Sequence, residues 1–133
     1  MKWSLQQLNK FLNQDYEFET SFDFTEEIEN IDDILGISEV KVHGIIHVLS
    51  FDKFEFDLHI KCTLTLEDAV TLDPVDFNID LEVIEVFSVE DNGDDDIILI
   101  ETNTVDIRPV VWENIILSKP IRFVKDESPD ELK

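Results

Sequence analysis

The chain has 133 residues, of which 43% are hydrophobic, 32 are acidic and 10 are basic, giving a formal net charge of -22. This length and apolar content favour one domain with one core over disorder. The charge disfavours extensive contact with nucleic-acid phosphates and favours basic partners, of which ribosomal proteins are the commonest in a cell. The single cysteine excludes an internal disulfide and a cysteine-built metal cage.

Targeting signals are missing from the sequence pattern. The N-terminal segment carries Gln, Asn and Lys throughout, unlike a signal peptide. The longest apolar runs are only about four residues, far short of a membrane span. We therefore expect a cytoplasmic protein.

A short amphipathic helix is the first predicted element. Ser4 is its expected N-cap and Gln7, three residues later, completes a capping box. The expected apolar side of this helix consists of Leu5, Leu8, Phe11 and Leu12.

Alternating apolar and polar residues predict four strands. The strongest pattern runs from Phe54 to Leu66, and a strand places its two sets of side chains on opposite faces. Similar alternation predicts strands over residues 16–24, 40–48 and 77–83. These apolar residues repeat every two positions, and no helix could place them on one side, so a sheet dominates the predicted fold.

Several connections are also predicted. Residues 25–35 suit a helical turn or two ended by Gly36, and residues 50–53 suit a hairpin turn. Pro74 marks a turn before the next strand. At Val83 and Ile84 the alternation changes phase, which predicts a β-bulge.

The C-terminal part of the chain is predicted as an acidic turn, a buried run and a helix. Residues 91–96 suit a solvated loop, because the spacing of a calcium loop is missing. Residues 97–100 form a short apolar run that could lie fully buried. A helix is predicted to enter at residues 106–109 and to end at 119–120, with apolar residues that include Trp112 and Leu117.

Together these elements predict an α+β fold. We expect a mostly antiparallel, twisted sheet of five or six strands, with closure into a barrel left open, and with N-terminal and C-terminal helices. Residues 1–123 are expected to form the single domain and 124–133 a charged, flexible tail.

No catalytic constellation is recognisable. Cys62 lies on the apolar face of its strand, where a neutral, packed thiol is expected. His43 and His47 share a strand face and His59 could approach one of them, but no cysteine or tight carboxylate cluster accompanies them. We therefore predict no catalytic residue, no metal site and no cofactor.

Four segments carry a resemblance to a known family. They are MKWSLQQLNKF, VKVHGIIHVL, DLHIKCTLTLEDAVTLDPVDF and VDIRPVVWENIILSKPIRF, in this order. The chain resembles the YceD/YlbN family of large ribosomal RNA subunit accumulation proteins over nearly its whole length. The residues that match the family motif are Cys62, Leu66, Glu67, Pro74, Glu113 and Pro120.

The resemblance implies a bacterial cytoplasmic factor needed for normal accumulation of large-subunit ribosomal RNA. The paired cysteines that some relatives carry near the C-terminus are absent here, so the zinc site proposed for those relatives does not carry over. Together with the charge, the resemblance predicts a non-enzymatic factor that binds a basic ribosomal protein or a pre-ribosomal large subunit through acidic faces. The predicted partner-binding residues are Glu17, Glu19, Asp23, Glu55, Asp57, Glu67, Lys41 and Lys61.

Two alternatives remain open at this stage. The first is direct binding of ribosomal RNA through a small basic patch, whose candidates are Lys2, Lys10, Lys41, Lys53, Lys61, Arg108 and Arg122. The second is a hydrolase or nuclease with a carboxylate-bound metal, although no spacing selects its ligands. The sequence does not predict the oligomeric state.

Overall fold

The computed structural model describes residues 1–90 and 93–120. The predicted tail, Arg122 and part of the acidic turn lie outside the described residues. The elements in chain order are β1 (Lys2–Ser4), α1 (Leu5–Asn9), β2 (Tyr16–Phe22), a 3₁₀ helix (Glu27–Asn30), β3 (Ile34–Ile37), β4 (Val40–Ser50), β5 (Lys53–Glu67), β6 (Pro74–Ser88), β7 (Ile97–Leu99), β8 (Thr104–Asp106) and α2 (Arg108–Ser118). None of the described helices is long and apolar enough to cross a membrane.

A six-stranded sheet forms the centre of the molecule. Its strand order is β2-β4-β5-β6-β7, and β3 pairs with β5 beyond the end of β4. Neighbouring strands are antiparallel except β6 and β7, which are parallel. The strands described here leave the sheet open, so closure into a barrel does not occur among them, and the α+β class is confirmed.

The central strand of the sheet has the face pattern that its sequence predicts. Phe54, Phe56 and the even-numbered residues through Leu66 are buried, while the residues between them face outward. Apolar side chains from both helices join this core, with Leu8 from α1 and Val110, Val111 and Ile115 from α2. The core therefore lies between one face of the sheet and the two helices.

Both predicted helix starts are confirmed. The Ser4 side chain accepts a hydrogen bond from the backbone N–H of Gln7, and the Gln7 side chain accepts one from the backbone N–H of Ser4. The second helix has Pro109 in its first turn and ends at Ser118, with Lys119 as its C-cap. The α1 helix has only five residues, so Leu12 lies beyond it and is 56% exposed, contrary to the prediction.

The predicted β-bulge at Val83 and Ile84 is wrong. The pairing of β5 with β6 runs from Lys53 to Glu67 without a register shift. The phase change arises because Glu85 takes a core-facing position opposite Phe56, where its carboxylate accepts a hydrogen bond from Asn114 of α2. A polar residue on the inner face thus imitates a bulge in the sequence pattern.

Other local predictions also need correction. Ile34 and Gly36 lie in strand β3, so the helical turn is limited to the 3₁₀ helix. Leu117 projects from α2 and is 76% exposed, and Leu99 of the predicted buried run is 40% exposed. The small sheet of β1 and β8, in which Trp3 pairs with Val105, was not predicted.

Candidate functional site

The solvent-facing side of β2, β4, β5 and β6, which we call the outer face, carries all three histidines of the chain. Strand pairing arranges its side chains in rows across the sheet. One row is Glu19, His43, His59 and Glu82, and the next is Ser21, Lys41, Lys61 and Asp80. The histidines and lysines therefore lie on the two central strands, β4 and β5, and carboxylates lie on the flanking strands, β2 and β6.

Two open depressions of about 510 and 420 Å³ lie on this face, and His43 and His59 line both. The larger one also contains Glu19, Lys41 and Lys61. The smaller one contains Asp57, Glu82 and the apolar side chains of Ile45 and Ile84. Ile84 is 65% exposed, so this part of the face offers both charge and apolar surface to a partner.

His47 contacts carboxylates through both ring nitrogens. Its Nδ1 lies 2.8 Å from Asp15 Oδ1, and its Nε2 lies 3.2 Å from Asp57 Oδ2 and 4.0 Å from Glu55 Oε2. The hydrogen bond with Asp15 raises the pKa of His47 above its ordinary value, the Asp57 contact acts in the same direction, and partial burial opposes both. His47 therefore joins β4 to β5 and to the residue that precedes β2.

The other two histidines each contact one carboxylate. His43 Nε2 lies 3.4 Å from Glu17, and His59 Nε2 is hydrogen-bonded to Asp80. The hydrogen bond from His59, helped by the nearby charge of Lys61, lowers the pKa of Asp80. These pairs are half-exposed, so they contribute little to stability but fix where charge is presented.

The outer face brings together six of the predicted partner-binding residues, which are Glu17, Glu19, Lys41, Glu55, Asp57 and Lys61. Asp23 lies beyond the end of β2. Its carboxylate accepts a hydrogen bond from the backbone N–H of Thr25, which lowers its pKa, and its backbone oxygen accepts one from Arg108. Glu67 lies at the other end of the sheet, opposite Pro74.

The predicted basic patch is brought together only in part. Lys41 and Lys61 are directly opposite each other on β4 and β5. Arg108 lies elsewhere, bound to Glu27 at 2.7 Å and stacked over Phe24 at 4.5 Å. The remaining described candidates, Lys2, Lys10 and Lys53, lie on β1, after α1 and at the start of β5.

The family-motif residues differ in their burial and in their place on the strands and helices. Cys62 is buried, and burial raises the pKa of its thiol to about 11, so the thiol is neutral. Leu66 is buried at the end of β5, Glu67 and Pro74 flank the following loop, and Glu113 is exposed on α2. Sequence reasoning missed Asp68, a buried side chain that accepts hydrogen bonds from the backbone N–H groups of Val70 and Thr71 in that loop.

Sequence reasoning also missed the group formed by His47, Glu55 and Asp57. One potential ligand atom from each of these residues lies within 4.8 Å of the others. The signal that could have found it is the hairpin turn at residues 50–53, since a tight turn fixes which residues of β4 and β5 are opposite. That register places His47 directly opposite Glu55 and His43 opposite His59.

Comparison with known proteins gives two matches. The family model for large ribosomal RNA subunit accumulation protein YceD matches residues 56–133. The uncharacterized protein YlbN of Bacillus subtilis (strain 168) is 32% identical over 126 residues, which cover 92% of this chain and 73% of that protein. No solved structure matches the chain.

Proposed function

The chain belongs to the YceD family, and from this membership we propose that it supports the accumulation of large-subunit ribosomal RNA as a non-enzymatic assembly factor. Its partner in this proposal is a basic ribosomal protein or a pre-ribosomal large subunit, bound in the cytoplasm through the acidic residues of the outer face. The family match is the observation that carries the ribosomal part of the proposal. The charge of -22 carries the choice of a basic partner.

Among the described residues, the outer face carries unpaired charge and apolar surface that suit such a partner. Glu19 and Glu82 end the row that contains His43 and His59, and neither makes an ion pair with any residue described here. Carboxylates without an internal partner keep their charge available for lysine or arginine side chains of another molecule. Exposed Ile84, which lies beside Glu82 in the smaller depression, adds apolar area at the same place.

Affinity capture of the tagged chain from growing cells tests this proposal. Capture at low salt should recover proteins of the large ribosomal subunit, and recovery should fall as salt screens the contact. Treatment of the lysate with ribonuclease should leave the contact intact if a ribosomal protein makes it. Recovery of no ribosomal component at low salt would refute the proposal.

A pair of matched variants locates the contact on the molecule. Glu19→Lys combined with Glu82→Lys reverses two charges on the outer face and should reduce capture strongly. Glu26→Lys combined with Glu29→Lys changes the net charge equally at exposed positions, one at the N-cap of the 3₁₀ helix and one within it, and should leave capture unchanged. Equal loss from both pairs would indicate attraction by net charge alone instead of recognition by the outer face.

Direct contact with ribosomal RNA is a second candidate function. The observation in its favour is the pairing of Lys41 with Lys61, which concentrates two positive charges at one point of the outer face. Binding of a purified large-subunit RNA fragment should then weaken in the variant Lys41→Glu with Lys61→Glu and fall steeply with salt. A flat titration of the unmodified chain with that RNA would eliminate this candidate.

A further inference from the structure

We propose that His47, Glu55 and Asp57 form a binding site for a divalent transition-metal ion such as Zn²⁺, with Asp15 holding the histidine in place. The inference is independent of the function proposed above, because it rests on the geometry of one corner of the outer face. It also departs from the expectation, drawn from sequence spacing, that the chain has no metal site.

The ligand atoms lie close to the spacing that a tetrahedral ion requires. Ligands at about 2.0 to 2.1 Å from Zn²⁺ are roughly 3.3 Å from each other. His47 Nε2 is 3.2 Å from Asp57 Oδ2 and 4.0 Å from Glu55 Oε2. The ligand atoms of Glu55 and Asp57 lie within 4.8 Å of each other, so the Glu55 side chain would have to move toward the other two ligands when an ion binds. Three protein ligands would leave the fourth position for water or for a partner's side chain.

Asp15 supplies the outer contact that metal-binding histidines commonly have. A histidine that binds a metal through one ring nitrogen usually donates the N–H of the other to a carboxylate, which fixes its tautomer and ring orientation. His47 Nδ1 lies 2.8 Å from Asp15 Oδ1, so Nε2 is turned toward Glu55 and Asp57. His43 and His59 each have a carboxylate at one nitrogen only and lack this arrangement.

Asp57 adds an observation of a different kind. Its Oδ1 atom is buried and has no hydrogen-bond partner in the described structure, whereas Oδ2 contacts His47. Buried polar atoms without a partner are rare in native proteins, and a bound ion or water is one explanation for such an atom. An ion bound by Asp57 would compensate the charge of two neighbouring carboxylates in a strongly anionic chain.

The donor set selects the class of metal. One imidazole and two carboxylates suit Zn²⁺ and related transition ions, while Mg²⁺ and Ca²⁺ prefer oxygen ligands alone. The site joins residues from β4 and β5 with the residue that precedes β2, since His47 is opposite Glu55 and Asp15 adjoins Tyr16. An ion here would therefore clamp three segments of the outer face.

Titration of the full chain with Zn²⁺, and with Co²⁺ as a spectroscopic substitute, tests the proposal. The titrations should be run in about 0.15 M NaCl to screen diffuse attraction by the acidic surface. We expect saturable binding of one ion per chain and visible absorption bands of bound Co²⁺. His47→Ala should weaken Zn²⁺ binding by at least about tenfold, and Asp15→Asn by about tenfold, as is typical of outer contacts.

His43→Ala is the matched control. His43 lies on the same face of the same strand and contacts one carboxylate, so its loss should leave Zn²⁺ affinity unchanged. Asp57→Asn provides a second test if His47→Ala does not fold, and circular dichroism checks each variant. Wild-type binding no tighter than that of His47→Ala, or an equal loss in His43→Ala, would overturn the proposal and leave His47 as an ion-pair bridge.

Discussion

Gly44 lies opposite Phe18, and its missing side chain leaves the space that the phenyl ring fills. A Cβ atom at residue 44 would lie 2.3 Å from Phe18 Cζ and 3.1 Å from Leu58 Cδ2. Phe18 itself packs edge-on against Trp3, with ring centroids 4.8 Å apart, and against Phe56 at 6.5 Å, so these rings restrict its movement away from residue 44. The glycine thus fixes how β2 and the N-terminal segment meet the core.

Gly44→Ala is therefore expected to destabilise the fold by about 1–3 kcal/mol, the usual cost of overpacking a filled core. The measurement is the midpoint of urea unfolding at unchanged slope. Gly36→Ala is the control, because the nearest atoms to its added Cβ would be 3.7 Å away in ordinary contact. That control should be neutral or stabilising by up to about 1 kcal/mol. Equal effects would contradict the packing argument.

Cys62 is the residue for which chemical reactivity can be predicted. Burial raises its pKa from 9.0 to about 11, so at neutral pH the reactive thiolate is roughly a hundredfold scarcer than in an exposed cysteine. Alkylation of the folded chain at pH 8 should be at least that much slower than alkylation in denaturing urea. Mass spectrometry of quenched samples measures both rates. Comparable rates would show that the thiol is accessible and activated.

At the scale of elements, the loop between β5 and β6 depends on Asp68. This buried carboxylate accepts hydrogen bonds from the backbone N–H groups of Val70, at 2.7 Å, and Thr71, at 3.0 Å. Leu72 has a φ of 66°, a left-handed conformation that costs energy for a branched side chain. The side-chain bonds thus hold a turn that the backbone alone would not favour.

Asp68→Ala should destabilise the fold by about 1–3 kcal/mol, because the two N–H groups lose their acceptor. Asp68→Asn keeps an oxygen in the same place and should cost less. Asp73→Ala, at an exposed position of the same loop, should change stability by no more than about 0.5 kcal/mol. Thermal or urea unfolding gives the ranking, and an Asn variant as unstable as the Ala variant would contradict this role of the side-chain oxygen.

Long strands such as β5 could be predicted from sequence, because many alternating apolar residues in a row all indicate the same buried face. Short ones could not, since the three residues of β1 and of β8 are too few to show a period. Glu85 misled the prediction because an acidic residue on a core-facing position interrupts the apolar set. The carboxylate of Glu85 accepts a hydrogen bond from the side-chain amide of Asn114. This contact joins distant parts of the chain, so no local sequence pattern contains it.

The candidate site was predictable to a similar degree. Alternation alone placed four of the candidate-site residues on the polar faces of their strands. The pairing of β2, β4 and β5 shows that all four lie on the same face of the sheet, and they are Glu17, Glu19, Lys41 and Lys61. The strand predicted over residues 16–24 ends at Phe22, so Asp23 lies beyond it, where its backbone oxygen accepts a hydrogen bond from Arg108. The grouping of His47 with Glu55 and Asp57 depends on pairing between strands, which residue types along one strand do not reveal.

At the scale of the whole molecule, charge opposes compactness. The chain carries 32 acidic residues against 10 basic ones, and many of the acids share one face of the sheet. Repulsion among them is released on unfolding, so it lowers the free energy of unfolding. A basic partner bound at the outer face would relieve the same repulsion, which links the stability of the chain to the function proposed for it.

Raising the NaCl concentration from about 0.01 M to about 0.15 M shortens the Debye length from about 30 Å to about 8 Å. Because repulsion among the acidic residues outweighs the ion pairs of the described residues, such as Lys119 with Asp33, the midpoint of urea unfolding should rise with salt. Choline chloride at equal ionic strength should give the same rise if screening is the cause. A larger effect of NaCl would indicate specific Na⁺ binding, and a falling midpoint would show that ion pairs outweigh repulsion.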